Sequence, residues 1–145
     1  MRILIVRFSS VGDLVTLEPA LRAYRHFFHD AHITFLTSTL GYGLYGDSDY
    51  FDSFIVDKGF VSTVNELRQN VYDIVINLQC TRRSHWFTFF AKKVKLINRS
   101  SSMLQKYCYI KPQTKSHTQV LNECGFSSDE VNSYVNNNAV VNLPV

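Results

Sequence analysis

Cysteine is scarce in this sequence and unpaired. Cys80, Cys108 and Cys124 are odd in number and far apart. No C-x-x-C spacing is present to hold zinc or run dithiol chemistry, so the three read as reduced thiols of a cytosolic protein. The five histidines, at 26, 29, 32, 85 and 117, share no ligand spacing, and no metal site is expected. Long apolar runs are missing as well. None approaches the ~20 residues that cross a bilayer, and Arg2 to Val6 is too short for the core of a signal peptide. Neither a Walker motif nor the G-x-G-x-x-G fingerprint occurs, which argues against a dinucleotide-binding or flavodoxin-like domain. Charge of one sign is not in large excess. The net charge of +3 favours an anionic partner but falls short of the dense basic surface of a nucleic-acid binder, so no nucleic acid is expected. No internal repeat is visible.

What is present is an ordinary globular composition: 145 residues, 46% hydrophobic and 19% charged. That is one domain's worth of chain, enough to bury roughly 70% of the surface its unfolded form exposes. Strand-like runs at 2–7, 32–37, 52–57, 72–79 and 94–99 alternate with helical patterns, which predicts a doubly wound parallel sheet of the Rossmann-like α/β class. The first strand should be central, flanked by 32–37 and 73–78, because its apolar run needs cover on both faces.

The organising stretch runs from Arg2 to Arg22. Ile3 to Val6 reads as a buried strand, and Ser9-Ser10-Val11-Gly12 as a tight turn of small residues. A helical pattern begins at Asp13. Pro19 conflicts with one continuous helix, so the regular helix is placed from Glu18 with Pro19 in its first turn, and Asp13 to Leu17 as a looser turn. In an open parallel sheet such a loop lies at the carboxyl ends of the strands, where ligands bind. Asp13 there is either a helix cap or a working group.

A first strand ending in Arg, then small-small-x-Gly-Asp, then a helix holding Pro-Ala-Leu-Arg resembles the N-terminus of glycosyltransferase family 9, which contains the lipopolysaccharide heptosyltransferases. The resemblance continues through Phe28 to Thr37. It extends to the fourth strand, where the family has an amide or acidic residue, leucine, then Gln-Gly. Here Asn77-Leu78-Gln79 is followed by Cys80 in place of that glycine. The family's glycine near the end of the fifth strand is likewise replaced by Ile97 or Asn98. Ser116 to Gly125 is similar to its His-containing helix.

This resemblance implies one half of a two-domain GT-B enzyme, with the acceptor on the first Rossmann-like domain and the sugar nucleotide on the second. The second-half landmarks, a Pro-Gly-Ala strand end and Gly-x-x-His-x-Ala, do not occur. The chain therefore reads as a truncated or separated N-terminal half, with a domain over 1–130 and an asparagine-rich linker over 131–145. The implied reaction is inverting transfer of a sugar from a nucleotide donor of the ADP-heptose type to a lipopolysaccharide core or related anionic envelope glycolipid. No cofactor is implied, and the donor binds only if a second domain is supplied. Asp13 maps onto the catalytic base. The alternative is a non-catalytic remnant or acceptor-binding module.

Ser9, Ser10 and Gly12 either permit the turn or let an anionic acceptor approach the backbone N–H groups. Arg82 and Arg83, in the loop after the fourth strand, either grip acceptor phosphate or carboxylate groups or are solvated. Arg7 and Arg99 are weaker candidates. The tyrosines of Gly41-Tyr42-Gly43-Leu44-Tyr45-Gly46 read as cover for the sheet, in a loop with one short helix, ahead of a mobile wall of an acceptor cleft. The 85–92 helix, with Trp86, Phe87, Phe89 and Phe90, is expected to pack its aromatic face on the sheet. Its other reading, aided by Lys92, Lys93 and Lys95, is peripheral contact of a cytoplasmic protein with the inner membrane.

Overall fold

The computed structural model describes residues 1–100 and 114–138. Cys108, nearly all of the expected polar loop over 100–112, and the end of the expected linker from residue 139 onward lie outside the described residues. Five strands form one parallel sheet: β1 (Arg2–Val6), β2 (His32–Thr37), β3 (Ser53–Val56), β4 (Val71–Asn77) and β5 (Lys92–Asn98), in the order β3-β2-β1-β4-β5. β1 is central, between β2 and β4, as its apolar run requires. Ile3 lies opposite Ile33 and Ile74, and Ile5 opposite Phe35 and Ile76, so like faces stack across three strands.

Seven helices are described: α1 (Val11–Thr16), α2 (Glu18–Phe27), α3 (Thr39–Tyr45), α4 (Phe60–Leu67), α5 (Arg82–Phe90), α6 (His117–Glu123) and α7 (Ser128–Asn137). Alternation along β1 sends Ile3 and Ile5 to one face, against Leu14, Leu21, Tyr24, Val120 and Val131 from α1, α2, α6 and α7. Leu4 and Val6 point to the other face, against Val64 and Leu67 of α4 and Phe87 of α5. Each such side chain, fully buried, contributes about 1.5–3 kcal/mol. No helix among the described residues is long and apolar enough to cross a membrane.

Four local readings are corrected. The stretch read as a looser turn, Asp13 to Leu17, is helical through Thr16 and forms most of α1, because Ser10 caps a helix start and Asp13 sits in its first turn. Leu17 then separates α1 from α2, and Pro19 falls in the first turn of α2, where its missing N–H costs nothing. Arg82 and Arg83 are not in a loop. Thr81 caps α5 through reciprocal bonds with Ser84, so the two arginines form its first turn. α5 also does not turn its whole aromatic face inward: Phe87 is buried, but Trp86 and Phe89 are 51% and 69% exposed. Lastly, the asparagine-rich stretch is helical through Asn137, because a Ser127–Glu130 capping box starts a helix whose Val131 and Tyr134 reach the core.

The tyrosine-rich segment forms the short helix α3. Tyr45 is buried and donates to the Leu14 carbonyl, and Tyr50 donates to Glu18. Tyr42 stays half exposed, edge-on to Phe54.

Candidate active site

From β1 the chain builds outward to β2 and β3, then returns to add β4 and β5 on the other side of β1. The switch between β1 and β4 opens a crevice at the carboxyl ends of the strands, where open α/β sheets bind ligands. Two loops meet there. The one after β1 carries Arg7 to Ser10, and the one after β4 carries Leu78 to Thr81. Leu78 N–H and Gln79 N–H both donate to the Val6 carbonyl, at 3.0 and 3.1 Å.

Gln79 joins the loops. Its Oε1 accepts from the backbone N–H groups of Phe8 (3.0 Å) and Ser9 (3.2 Å), and its Nε2 donates to Ser9 Oγ at 3.2 Å. Three backbone or hydroxyl groups that a tight turn would leave open are thereby satisfied by one side chain. The Ser9–Ser10 peptide is cis.

Asp13 stands at the crevice with its side chain 57% exposed. All of its described partners converge on one oxygen. Oδ2 accepts from Ser10 N–H (3.3 Å), Ser10 Oγ (2.9 Å) and Arg7 Nη2 (2.9 Å). Among the described residues Oδ1 has no partner. The Ser10 backbone N–H, then the Ser10 hydroxyl, and the Arg7 charge hold the carboxyl below the usual carboxylate range, so it is ionised at neutral pH. Arg7 is itself fixed, only 15% exposed, with Nη1 donating 2.8 Å to the Leu78 carbonyl.

Gly12 adds a different kind of information. A Cβ built there would meet nothing within 4 Å, and its φ is outside the left-handed region. The fold itself therefore places no demand for glycine at this position.

Cys80 adopts φ 52°, a left-handed conformation that glycine enters freely and other residues rarely. Its Sγ contacts the Asn77 carbonyl at 3.1 Å and accepts from Ser100 N–H at 3.3 Å. Burial pushes the thiol up, so it is no ready nucleophile. Below the crevice, Tyr24 Oη lies 2.8 Å from His117 Nδ1, and Arg99 Nε donates 3.0 Å to the Lys115 carbonyl.

Of the residues singled out by sequence, Ser9, Ser10, Gly12 and Asp13 come together. Arg82 lies at the same sheet edge, exposed and without an ion pair among the described residues. Arg83 turns away and forms a bidentate pair with Asp57, Nε–Oδ2 2.6 Å and Nη2–Oδ1 2.8 Å. Sequence reasoning underrated Arg7 and passed over Gln79. The signals were there: an arginine closing the first strand, and a glutamine closing the fourth.

The sequence matches no protein-family model and no curated protein. Solved structures do match. One is a glycosyl transferase family 9 protein from Veillonella parvula DSM 2008, with TM-score 0.60 and 22% identity, over 79% of this chain and 35% of that one. Two others are E. coli heptosyltransferase WaaC, solved with ADP-2-deoxy-2-fluoro heptose and with ADP. Each has TM-score 0.57 and 22% identity, over 66% of this chain and 35% of that one. The likeness is one of fold, a Rossmann-like α/β sheet, and this chain spans about a third of the length of the structures it resembles.

Proposed function

We propose that this chain is the acceptor-side half of a GT-B glycosyltransferase of the family 9 type, with Asp13 as the base that takes the proton from the acceptor hydroxyl. The observation that carries the reading is the division of labour on Asp13. One carboxylate oxygen is fixed by Ser10 and Arg7, and the other has no partner among the described residues on a side chain that is 57% exposed. A base held by one oxygen keeps its aim while the second accepts the proton. Its depressed pKa makes it a weak base, effective only as the donor's sugar bond breaks, and such assistance contributes about 10²–10⁴-fold.

In this reading the acceptor is an anionic envelope glycolipid, with Ser9, Ser10 and Gly12 along its path and Arg82 facing its phosphate or carboxylate groups. The donor is a nucleotide sugar of the ADP-heptose class, a choice supported by the ADP compounds bound in the WaaC structures. It is held by a second, donor-binding domain, and attack from the face opposite the leaving diphosphate inverts the anomeric centre. The acceptor domain takes in α7, whose Val131 and Tyr134 reach the core, and the chain beyond it leads toward the donor domain. The setting is the cytoplasmic side of the envelope.

The test is Asp13→Asn in the chain joined to a donor domain from a family 9 relative. Asparagine caps a helix about as well as aspartate but cannot take the proton. The expected result is a kcat reduced at least about 10²-fold with acceptor KM little changed. Near-normal kcat with an unchanged Tm would remove Asp13 from the mechanism.

A further inference from the structure

Helix α5 sorts its side chains against the usual rule. It buries two hydroxyl residues, Ser84 and Thr88, beside Phe87, and leaves Trp86 and Phe89 on the outside. The buried hydroxyls are satisfied locally, Ser84 Oγ on the Thr81 carbonyl and Thr88 Oγ1 on the His85 carbonyl. The outer aromatics are not stray residues. Phe60 of α4 stacks on buried Phe87 at 5.3 Å and meets Phe90 at 6.0 Å. Trp86 stacks on Phe90 at 6.0 Å, and Phe89 closes on both, at 6.0 and 5.3 Å. A connected set of rings thus runs from the core to the surface. Val61, 70% exposed, adds to the same α4 end.

The charges at the two ends of α5 are of one sign, and the acid of α4, Glu66, lies at the far end of that helix from Phe60. Arg82 and Arg83 begin α5, and Lys92 and Lys93 come directly after its end. Asp57, the acid that approaches from the end of β3, is already neutralised by Arg83. A second copy of the same face would bring like charges together. An anionic bilayer complements both features, because aromatic rings settle at the headgroup level while flanking cations meet the lipid charge.

We propose that the α4–α5 face is a peripheral docking surface for an anionic phospholipid bilayer, with Trp86 and Phe89 entering the headgroup region. The inference rests on this surface alone and not on the glycosyltransferase reading. It would keep the protein at the membrane whatever chemistry its crevice performs.

Trp86 is the sole tryptophan of the chain, so the surface carries its own reporter. The experiment adds vesicles of phosphatidylglycerol with phosphatidylcholine to the full chain and monitors tryptophan emission, with brominated lipids as quenchers. The expected result is a blue shift and quenching that need the anionic lipid and weaken as salt is raised. Phe89→Ser, at an exposed position, should weaken partitioning at least about tenfold. Lys92→Gln with Lys93→Gln should weaken it about fivefold per charge removed. Three results would each overturn the proposal: no spectral change with anionic vesicles, vesicle binding without quenching of Trp86, or a blue shift that grows with protein concentration in the absence of lipid, which would mark self-association.

Discussion

Arg7 and Asp13 are joined at 2.9 Å across the mouth of the crevice, and the same guanidinium reaches the Leu78 carbonyl on the opposite loop. One side chain thereby sets the orientation of the acid and ties the end of β1 to the end of β4. A carboxylate this exposed would otherwise sample several rotamers. Its restraint is an arrangement that a cap alone does not require.

Removing that guanidinium should therefore change the acid before it changes the fold. In Arg7→Met the Asp13 carboxyl is expected to titrate at higher pH than in the parent, because one of the influences that lowers it is gone while the Ser10 bonds remain. A depressed carboxyl stabilises the folded state above the ordinary carboxylate pKa, and that contribution fades as pH falls through the folded value. NMR titration of the Asp13 side chain in both proteins is the measurement, and an unmoved pKa would show that Arg7 is only a strut.

Gly12 separates folding from function. Alanine there fits sterically and should raise stability by about 0.5–1 kcal/mol, the usual gain over glycine inside a helix. If the acceptor passes close to this backbone, the same methyl group should reduce acceptor affinity. A higher Tm together with weaker glycan binding is the expected pair of results. Unchanged binding would leave Gly12 without a role in the site.

The buried His117 makes the protein sensitive to mild acid. Burial, assisted by the charges of Arg99 and Arg7, brings its pKa down to about 3, against about 6.5 in an unfolded chain. Above pH about 6.5 neither state is protonated. Below it, the unfolded state binds a proton that the folded state refuses, so stability should fall by about 1.4 kcal/mol per pH unit. Urea unfolding between pH about 7 and about 4 checks this. His117→Gln, whose amide can still hydrogen-bond Tyr24, should flatten the slope, and an equal slope in both would point to other groups.

Position 80 should prefer the residue it lacks. Cys80→Gly relieves a left-handed conformation and is expected to be neutral or mildly stabilising, set against the lost Sγ contacts. Cys80→Val puts a β-branched side chain into the same conformation and should cost about 1–2 kcal/mol or more. Thermal melts of the two variants would reverse that order if φ at this residue were not in fact constrained.

The sheet was readable because each strand announces itself locally. Ile3 to Val6 and Ile74 to Ile76 are continuous branched runs, and continuity alone places them inside. The site was only half readable. Asp13 and Ser10 are neighbours in sequence, whereas Gln79 meets Phe8 across 71 residues and Arg7 meets Leu78 across the same gap. No periodicity encodes such pairings. The exposed rings of α5 were misjudged for a related reason: pattern tells that a helix is aromatic, but only packing tells that Ser84 and Thr88 occupy the inner face.

The central place of β1 has a cost during synthesis. β1 emerges ahead of the other four strands of the sheet and can pair with β2 once residue 37 is out, but its other edge waits for β4, which ends at Asn77. At about 5–20 residues per second, the ribosome leaves that edge open for a few seconds. Through this interval Ile3 to Val6 offers a bare hydrogen-bonding row on an apolar strand, the kind of template that recruits foreign strands. Misassociation is thus a hazard chiefly along β1, and arrival of β4 both closes that edge and brings Gln79 to complete the crevice.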